Sequence, residues 1–217
     1  MTCSEIDISK YSEYTAIYGG TFAPPHIGHI RAALALMETL NPRELYLMPA
    51  AIPPHKQFHF TDSPKARKEM LNLCFRNNQQ FGKRLFVSDY ELNRKRVSYT
   101  YLTLEHFFEN VNNKLIFLCG ADMFVTLDTW RDAPRIFELA DIAYVSRPGI
   151  DGIEECANRF IKDYRARIIH IPIECADISS TELRRAIASG EDTSKWLLPE
   201  VEDYIRKHRI YSDSRNG

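Results

Sequence analysis

Two histidines close to a pair of glycines are the residues of this chain whose types and spacing most clearly suggest chemistry. Residues 19–29 read GGTFAPPHIGH and follow a short apolar segment. Glycines allow a tight turn and let a ligand approach backbone N–H groups closely. The start of a helix favours negative charge, because its first N–H groups lack partners within the helix and its dipole is positive there. Imidazoles at such a position, here His26 and His29, can stabilise charge that develops during phosphoryl or nucleotidyl transfer.

A second candidate motif lies near the end of the chain, where residues 178–184 read ISSTELR. Its first serine and the glutamate three residues later have the spacing of a capping box, so a well-capped helix alone would explain them. Arg184 lies one turn after Ser180, however. Its guanidinium can therefore also meet phosphates held at the same helix start, together with the hydroxyls of Ser180 and Thr181.

A third candidate is the segment Pro-Pro-His-Lys at 53–56, which follows the second predicted strand. Two prolines stiffen a loop at the edge of the sheet. His55 and Lys56 add donors that suit phosphate, although a solvated basic loop would have the same composition. Three such motifs, far apart in sequence, fit one phosphate site better than three separate coincidences.

Composition excludes several other classes of function. The chain has 217 residues and a formal net charge of -1, so nothing favours binding to nucleic acid or to a membrane surface. Residues 1–14 carry charges and no apolar core, so they are not a signal peptide. The cysteines are odd in number, scattered and without a C-x-x-C pair, which argues against disulfides or a zinc site and predicts a cytoplasmic protein; they are Cys3, Cys74, Cys119, Cys156 and Cys175.

The elements that must position these motifs alternate between strand and helix almost throughout the chain. Strands are predicted at 15–18, 44–48, 84–89, 115–119, 142–145 and 167–171, with a helix after each of them; the third of these helices is expected to be capped by Ser98. This alternation predicts an α/β fold, a doubly wound parallel sheet with helices on both faces and a small helical C-terminal part. We expect one domain at 15–217 after an extension at 1–14, with ligands bound beyond the carboxyl ends of the strands.

The ordered set of motifs resembles the nucleotidyltransferase superfamily that carries H-x-G-H near the first strand and I-S-S-T-x-x-R near the last helices. It is more closely similar to the bacterial nicotinate mononucleotide adenylyltransferases, with a Rossmann-like fold, and the resemblance runs from residue 16 to residue 211. The matching segments, in chain order, are GGTF at 19–22, PPHK at 53–56, SYT at 98–100, GAD at 120–122, TW at 129–130, RPG at 147–149 and LLPEV at 197–201.

The resemblance implies that nicotinate mononucleotide attacks the α-phosphate of ATP, without a covalent enzyme intermediate. Mg²⁺ is expected on the ATP phosphates, with no metal ligand from protein side chains. The expected partners are these small-molecule substrates, and a homo-oligomer is possible. It implies a catalytic role for His26, His29 and Arg184. It also implies binding of ATP or its phosphates by Gly19, Gly20, Thr21, Phe22, His55, Lys56, Arg147, Ile178, Ser179, Ser180 and Thr181.

The acid half of the mononucleotide needs residues of its own, for which the resemblance implies Thr100, Gly120, Asp122 and Trp130. An aromatic plane at Trp130 can stack on a pyridine ring, although a partly buried core tryptophan is the simpler interpretation of that residue alone. Thr100, in the first turn of its predicted helix, can bind the nicotinate carboxylate as helix starts bind anions. Such a site prefers the acid to the amide, whose NH₂ would face donors.

Three alanines depart from the family pattern. Ala23 replaces an acidic residue, and Ala50 and Ala51 stand where many relatives carry an asparagine that touches the mononucleotide, so only backbone contacts remain there. The alternatives are a sister transferase acting on nicotinamide mononucleotide, phosphopantetheine or a cytidylyl acceptor, and a catalytically silent module that binds adenylates or NAD.

Overall fold

The apolar segment before the histidine loop is the central strand of a parallel sheet. The computed structural model describes residues 8–53, 62–77, 80–94, 96–111, 114–146, 149–173 and 178–212. The strands lie in the order β3-β2-β1-β4-β5-β6, and every pair of neighbours is parallel. They are β1 (Thr15–Gly20), β2 (Glu44–Pro49), β3 (Leu85–Val87), β4 (Leu115–Gly120), β5 (Ala140–Val145) and β6 (Ile168–Ile171).

The order of the strands reverses direction between β1 and β4. From β1 the chain adds β2 and β3 on one side, and from β4 it adds β5 and β6 on the other. Loops leaving the carboxyl ends of β1 and β4 therefore diverge, and the crevice between them is where such sheets bind ligands. The predicted doubly wound α/β fold is confirmed.

The helices follow the strands as the sequence pattern predicts. They are α1 (Ile27–Leu40), α2 (Pro64–Phe75), α3 (Tyr90–Arg94), α4 (Thr100–Asn110), α5 (Ala121–Phe124), α6 (Ala133–Leu139), α7 (Ile153–Tyr164), α8 (Ser180–Ser189) and α9 (Pro199–His208), with short 3-10 turns at Ile8–Glu13, Gly82–Arg84 and Leu127–Thr129. No helix in the described ranges is long and apolar enough to cross a bilayer.

Two apolar clusters cover the two faces of the sheet. In β4, Ile116 and Leu118 point to the face that α1 covers, whereas Phe117 and Cys119 point to the face covered by α4, α6 and α7. Both faces of the central strands are thus buried, which explains their unbroken apolar sequences. A third cluster joins α2 to α8 and α9 through Met70, Leu183 and Val201 among others, so the predicted helical C-terminal part packs on α2.

The described part of the predicted N-terminal extension packs on the same core as α1. Tyr11 and Tyr14 are buried in the cluster that α1 covers, and their rings meet edge to face at 4.9 Å between centroids. The N–H of Arg43 donates to the Tyr14 carbonyl, which links this segment to the start of β2. The division into an extension and one domain stays a prediction.

Two local predictions were wrong. Ser98 does not cap α4: the helix begins at Thr100 after Tyr99, whose side chain makes no capping bond, because the Ser98 hydroxyl is bonded elsewhere. The strand predicted at 84–89 is only three residues long, and the short helix α3 follows it. Both errors lie where tertiary contacts, rather than local propensity, decide the backbone.

Candidate active site

The two histidines form a reciprocal cap at the start of α1. His26 is the N-cap residue, and its Nδ1 accepts a hydrogen bond from the N–H of Gly28 at 3.2 Å. His29 lies three residues later and its Nδ1 accepts from the N–H of His26, also at 3.2 Å. The ring centroids are 3.8 Å apart. The spacing therefore brings both imidazoles to one point, with His26 before the first helical residue rather than inside the helix.

This cap fixes which ring nitrogen carries the proton. A neutral imidazole has one donor nitrogen and one acceptor nitrogen. Since Nδ1 is an acceptor in both rings, the proton of each neutral ring must lie on Nε2. The backbone thus prepares the two Nε2–H groups as donors, which is the state that suits an anionic phosphate oxygen.

Glycines and a buried phenylalanine shape the loop before these histidines. A Cβ at Gly28 would lie 3.0 Å from the His26 ring, and one at Gly20 would lie 2.8 Å from the Phe22 ring. Phe22 has a positive φ of 53° and its buried ring meets His29 edge to face at 5.0 Å. Its side chain thus supports His29, so any contact of Phe22 with a nucleotide is left to its backbone.

The helix of the second motif is attached directly to this loop. Arg184 donates from Nη1 to the Ala23 carbonyl at 2.7 Å and from Nη2 to the Thr181 hydroxyl at 3.0 Å. Ser180 donates to the Pro24 carbonyl at 3.1 Å. Burial lowers the pKa of Arg184, with Tyr211 and Asp62 acting in the opposite direction. The first and second motifs therefore meet, as the hypothesis of a single phosphate site requires.

The starts of α1 and α8 differ in the backbone donors that they offer. At α1 the N–H of Ile27 donates to the Trp196 carbonyl and that of His29 to the His26 carbonyl, so the expected supply of unpartnered N–H groups is reduced there. At α8, Ser179 and Glu182 form the predicted capping box. In the described part of the chain the N–H groups of Ser180 and Thr181 have no acceptor, and they lie close to Arg184, which bonds the Thr181 hydroxyl.

A second open helix start lies on the other side of the histidine loop, at α4. Thr100 is the first residue of this helix, and Tyr99 before it provides no side-chain cap. Ser98 instead accepts the N–H of Ala51 at 2.9 Å and donates its own N–H to the Ile52 carbonyl at 2.9 Å. Within the described ranges the N–H groups of Thr100 and Tyr101 have no acceptor, so this helix start can bind a carboxylate.

Trp130 follows the 3-10 turn at Leu127–Thr129 and packs on the same apolar cluster as α4. The guanidinium of Arg131, the next residue, lies over the Tyr99 ring at 5.4 Å, so this segment comes close to the start of α4. Trp130 is half-buried and its ring meets that of Phe117 at 6.2 Å, as a core residue would. Partial exposure of the ring still leaves it available for stacking on a ligand.

The remaining predicted residues differ in their placement. Asp122 lies in the first turn of α5 and folds over Gly120, where a Cβ would come within 2.5 Å of its Oδ1. Ile178 is half-buried against the third apolar cluster. His55, Lys56 and Arg147 lie outside the described residues, so their predicted contacts with ATP stay predictions, as do the other ligand contacts named above.

Two buried charged residues at this edge of the sheet were not predicted from the sequence. Arg67 donates from Nη1 to the Thr21 carbonyl at 2.9 Å and from Nη2 to the Ala51 carbonyl at 3.4 Å. Glu91 is buried beneath the start of α4 and accepts the Thr103 hydroxyl at 2.6 Å. The position of Arg67 beside the apolar stripe of its helix could have indicated that this charged residue is buried. The short helix that contains Glu91 gave no such indication.

Proteins of known family are similar to this chain in sequence and in fold. The model of the cytidylyltransferase-like family matches residues 17–186. A Clostridium kluyveri protein named a probable nicotinate-nucleotide adenylyltransferase is 33% identical over 90% of this chain and 98% of its own. A Clostridium tetani protein of the same name is 32% identical with the same coverage.

Among solved structures, the nicotinic acid mononucleotide adenylyltransferase of Plasmodium falciparum complexed with NaAD has a similar fold. The TM-score is 0.75 at 20% identity, and the match covers 92% of this chain and 97% of that one. The same enzyme complexed with APC gives a TM-score of 0.70.

Proposed function

The chain belongs to the cytidylyltransferase-like family, and we propose that it transfers the adenylyl group of ATP to nicotinate mononucleotide. The products are nicotinate adenine dinucleotide and pyrophosphate. The names of the 33% and 32% identical Clostridium relatives support this acceptor. The observation that carries the proposal is the direct bond of Arg184 to the loop that ends in the two capping histidines.

In the proposed reaction an oxygen of the mononucleotide phosphate attacks the α-phosphorus of ATP. The bond between that phosphorus and the bridging oxygen to the β-phosphate breaks, and pyrophosphate leaves with the electron pair. No protein nucleophile is needed, so catalysis comes from alignment and from stabilisation of negative charge. ATP enters as its Mg²⁺ complex, with the metal on the triphosphate oxygens.

The chain provides three donor groups for this charge. The Nε2–H groups of His26 and His29 are fixed by the cap at α1, so they need no reorganisation when charge develops. Arg184 donates to the Ala23 carbonyl and to the Thr181 hydroxyl, which holds its guanidinium beside the histidine loop, and a guanidinium suits phosphate oxygens. The open N–H groups at the start of α8 add to the same site.

The open start of α4 accounts for the choice of the acid. A carboxylate accepts hydrogen bonds from the N–H groups of Thr100 and Tyr101 and gains from the helix dipole. The amide of nicotinamide mononucleotide presents its NH₂ to some of these donors, and a polar mismatch of this kind weakens use of the wrong substrate. Trp130 stacks on the pyridine ring of either one.

The decisive experiment compares four acceptors in the presence of Mg²⁺. Nicotinate mononucleotide, nicotinamide mononucleotide and phosphopantetheine are each supplied with ATP, and a cytidylyl acceptor is supplied with CTP. Pyrophosphate release and the nucleotide product are measured in each case. We expect the first reaction to be the fastest. Binding of ATP with no pyrophosphate from any acceptor would instead identify a silent adenylate-binding module.

We further propose a cytoplasmic location, which agrees with the free thiols of Cys74, Cys119 and Cys156.

A further inference from the structure

The backbone of Ala51 is held at both its N–H and its carbonyl by side chains from two distant segments, Ser98 before α4 and Arg67 on α2. On one side Ser98 accepts the Ala51 N–H at 2.9 Å, and on the other Arg67 donates to the Ala51 carbonyl at 3.4 Å. The N–H of Ala50 donates to the Gly20 carbonyl at 2.9 Å, so the loops after β1 and β2 are joined directly. The loop after β2 is thus fixed through its backbone.

Arg67 is a buried cation that joins two loops. Only 3% of its side chain is exposed, and it donates to the carbonyls of both Thr21 and Ala51. Its charge is met by Asp62, whose Oδ2 lies 3.8 Å from Nε and also accepts the Tyr211 hydroxyl. A planar guanidinium can serve several acceptors at once, which a lysine amine in the same place cannot do with the same geometry.

Glu91 is a buried carboxylate bonded to α4. It accepts the Thr103 hydroxyl at 2.6 Å, which ties α3 to α4 near the start of that helix. Glu91 and Ser98 also line the same small cavity, so the support of α4 and the support of Ala51 lie side by side.

We propose that Arg67, Ser98 and Glu91 are positioning residues that fix the backbone of Ala51 and the start of α4 for the acceptor mononucleotide. The inference rests on the proposed function and specifies how the acceptor half of that site is built. In this chain the residue that Arg67 and Ser98 hold is an alanine, whose side chain offers no hydrogen bond. The backbone must therefore provide whatever polar contact the loop makes.

The location of these contacts distinguishes the acceptor from ATP. Three side chains assigned to the ATP phosphates, His26, His29 and Arg184, bond the histidine loop and the start of α8, whereas Ala51 and Ser98 bond each other at the loop after β2. Ser98 lies two residues before Thr100, where the carboxylate of the acceptor is expected. The loop after β2 lies beside β1 on the side away from β4, which separates it from the loops of β5 and β6.

The test uses Ser98→Ala, with Ser98→Thr as the conservative variant that restores the hydroxyl. We expect the KM for nicotinate mononucleotide to rise about three- to tenfold in Ser98→Ala, as loss of one hydrogen bond predicts, while the KM for ATP changes less than about twofold. Ser98→Thr should recover most of the loss. Ser194→Ala, at an exposed serine, is the matched control and should leave both constants unchanged.

Arg67→Lys tests the other side of the peptide while keeping a positive charge beside Asp62. It should raise the KM for the mononucleotide, whereas Lys68→Met, at the exposed neighbour that pairs with Asp89, should not. Equal changes in both KM values that follow a lower Tm would overturn the inference, because they indicate a general loss of structure. Unchanged kinetics in Ser98→Ala and Arg67→Lys would overturn it as well.

Calorimetry with nicotinate mononucleotide separates failure of the inference from failure of the proposed function. A wild type that binds the mononucleotide but transfers nothing would refute the proposed function alone, and weaker binding by Ser98→Ala would still support the inference. A wild type that neither binds nor transfers would refute both.

Discussion

Substitution of His29 should separate two roles that the structure gives to one imidazole. Its Nδ1 accepts the His26 N–H, while its Nε2 carries the proton that we assign to phosphate. An asparagine oxygen can replace Nδ1, and a glutamine amide nitrogen can replace Nε2–H. His29→Asn should therefore keep the cap and lose the donor, His29→Gln should keep the donor in part, and His29→Ala should lose both.

The magnitudes follow from the two kinds of contact. A lost cap costs about 0.5–2 kcal/mol, and the 3.2 Å length of this bond places it toward the lower end. For a chain of this size that corresponds to a fall in Tm of about 1–4 °C. Loss of one preorganised donor to developing charge costs about 10²–10³ in rate. His29→Asn should thus be nearly as stable as wild type and about as slow as His29→Ala.

The assays are thermal unfolding and steady-state pyrophosphate release with ATP and nicotinate mononucleotide. Wild-type turnover in His29→Asn would refute the assignment of Nε2–H to the phosphate. A Tm for His29→Ala equal to that of wild type would instead refute the capping role. Turnover in His29→Gln above that of His29→Asn would support the assigned tautomer.

Three further predictions concern other parts of the site. Arg184→Lys should lower kcat/KM for ATP about 10- to 100-fold, as loss of a charge-assisted hydrogen bond predicts, while Arg185→Lys on the exposed side of the same helix should not; equal kinetics would leave Arg184 only a structural role. Wild type should prefer nicotinate to nicotinamide mononucleotide about ten- to a hundredfold in kcat/KM, and Trp130→Ala should weaken both; equal use of the two would refute acid recognition at α4. Burial raises the pKa of Glu91 above its ordinary value of 4.5, so its folded-state carboxyl holds a proton more tightly than in the unfolded chain. The protonated Glu91 carboxyl therefore stabilises the folded state at low pH, and this stabilisation is lost as pH rises above 4.5. The Tm of wild type minus that of Glu91→Gln should decline over the same pH range, and a constant difference would contradict the raised pKa.

The fold was predictable because its local signals agree with the tertiary structure. The strands predicted at 15–18, 44–48 and 115–119 begin at the predicted residues, and the capping box of Ser179 follows its sequence signature. Ser98 misled the prediction because its hydroxyl is used by Ala51, which lies 47 residues away in sequence. A capping signature is reliable only where no distant partner competes for the same oxygen.

The sequence predicted those parts of the candidate site whose residues lie together in one short segment. The motifs with His26 and Arg184 are local patterns, and their meeting follows from the topology of the sheet. Arg67 and Glu91 act through carbonyls and hydroxyls that only the folded chain brings to them. No spacing rule connects Arg67 with Thr21 and Ala51, so their relation had to come from the structure.

The bonds that join α8 to the histidine loop have a consequence for the order in which the protein assembles. Arg184 and Ala23 are 161 positions apart, and Ser180 and Pro24 are 156 apart. Contacts between such distant segments close large loops of the chain. The loss of conformational entropy on closing these loops opposes the contacts, so they form late in folding. We therefore expect the paired strands to form before the histidine loop is secured. On heating or in denaturant, activity should disappear before the signal of the helices does, and hydrogen exchange in the loop should report that earlier opening.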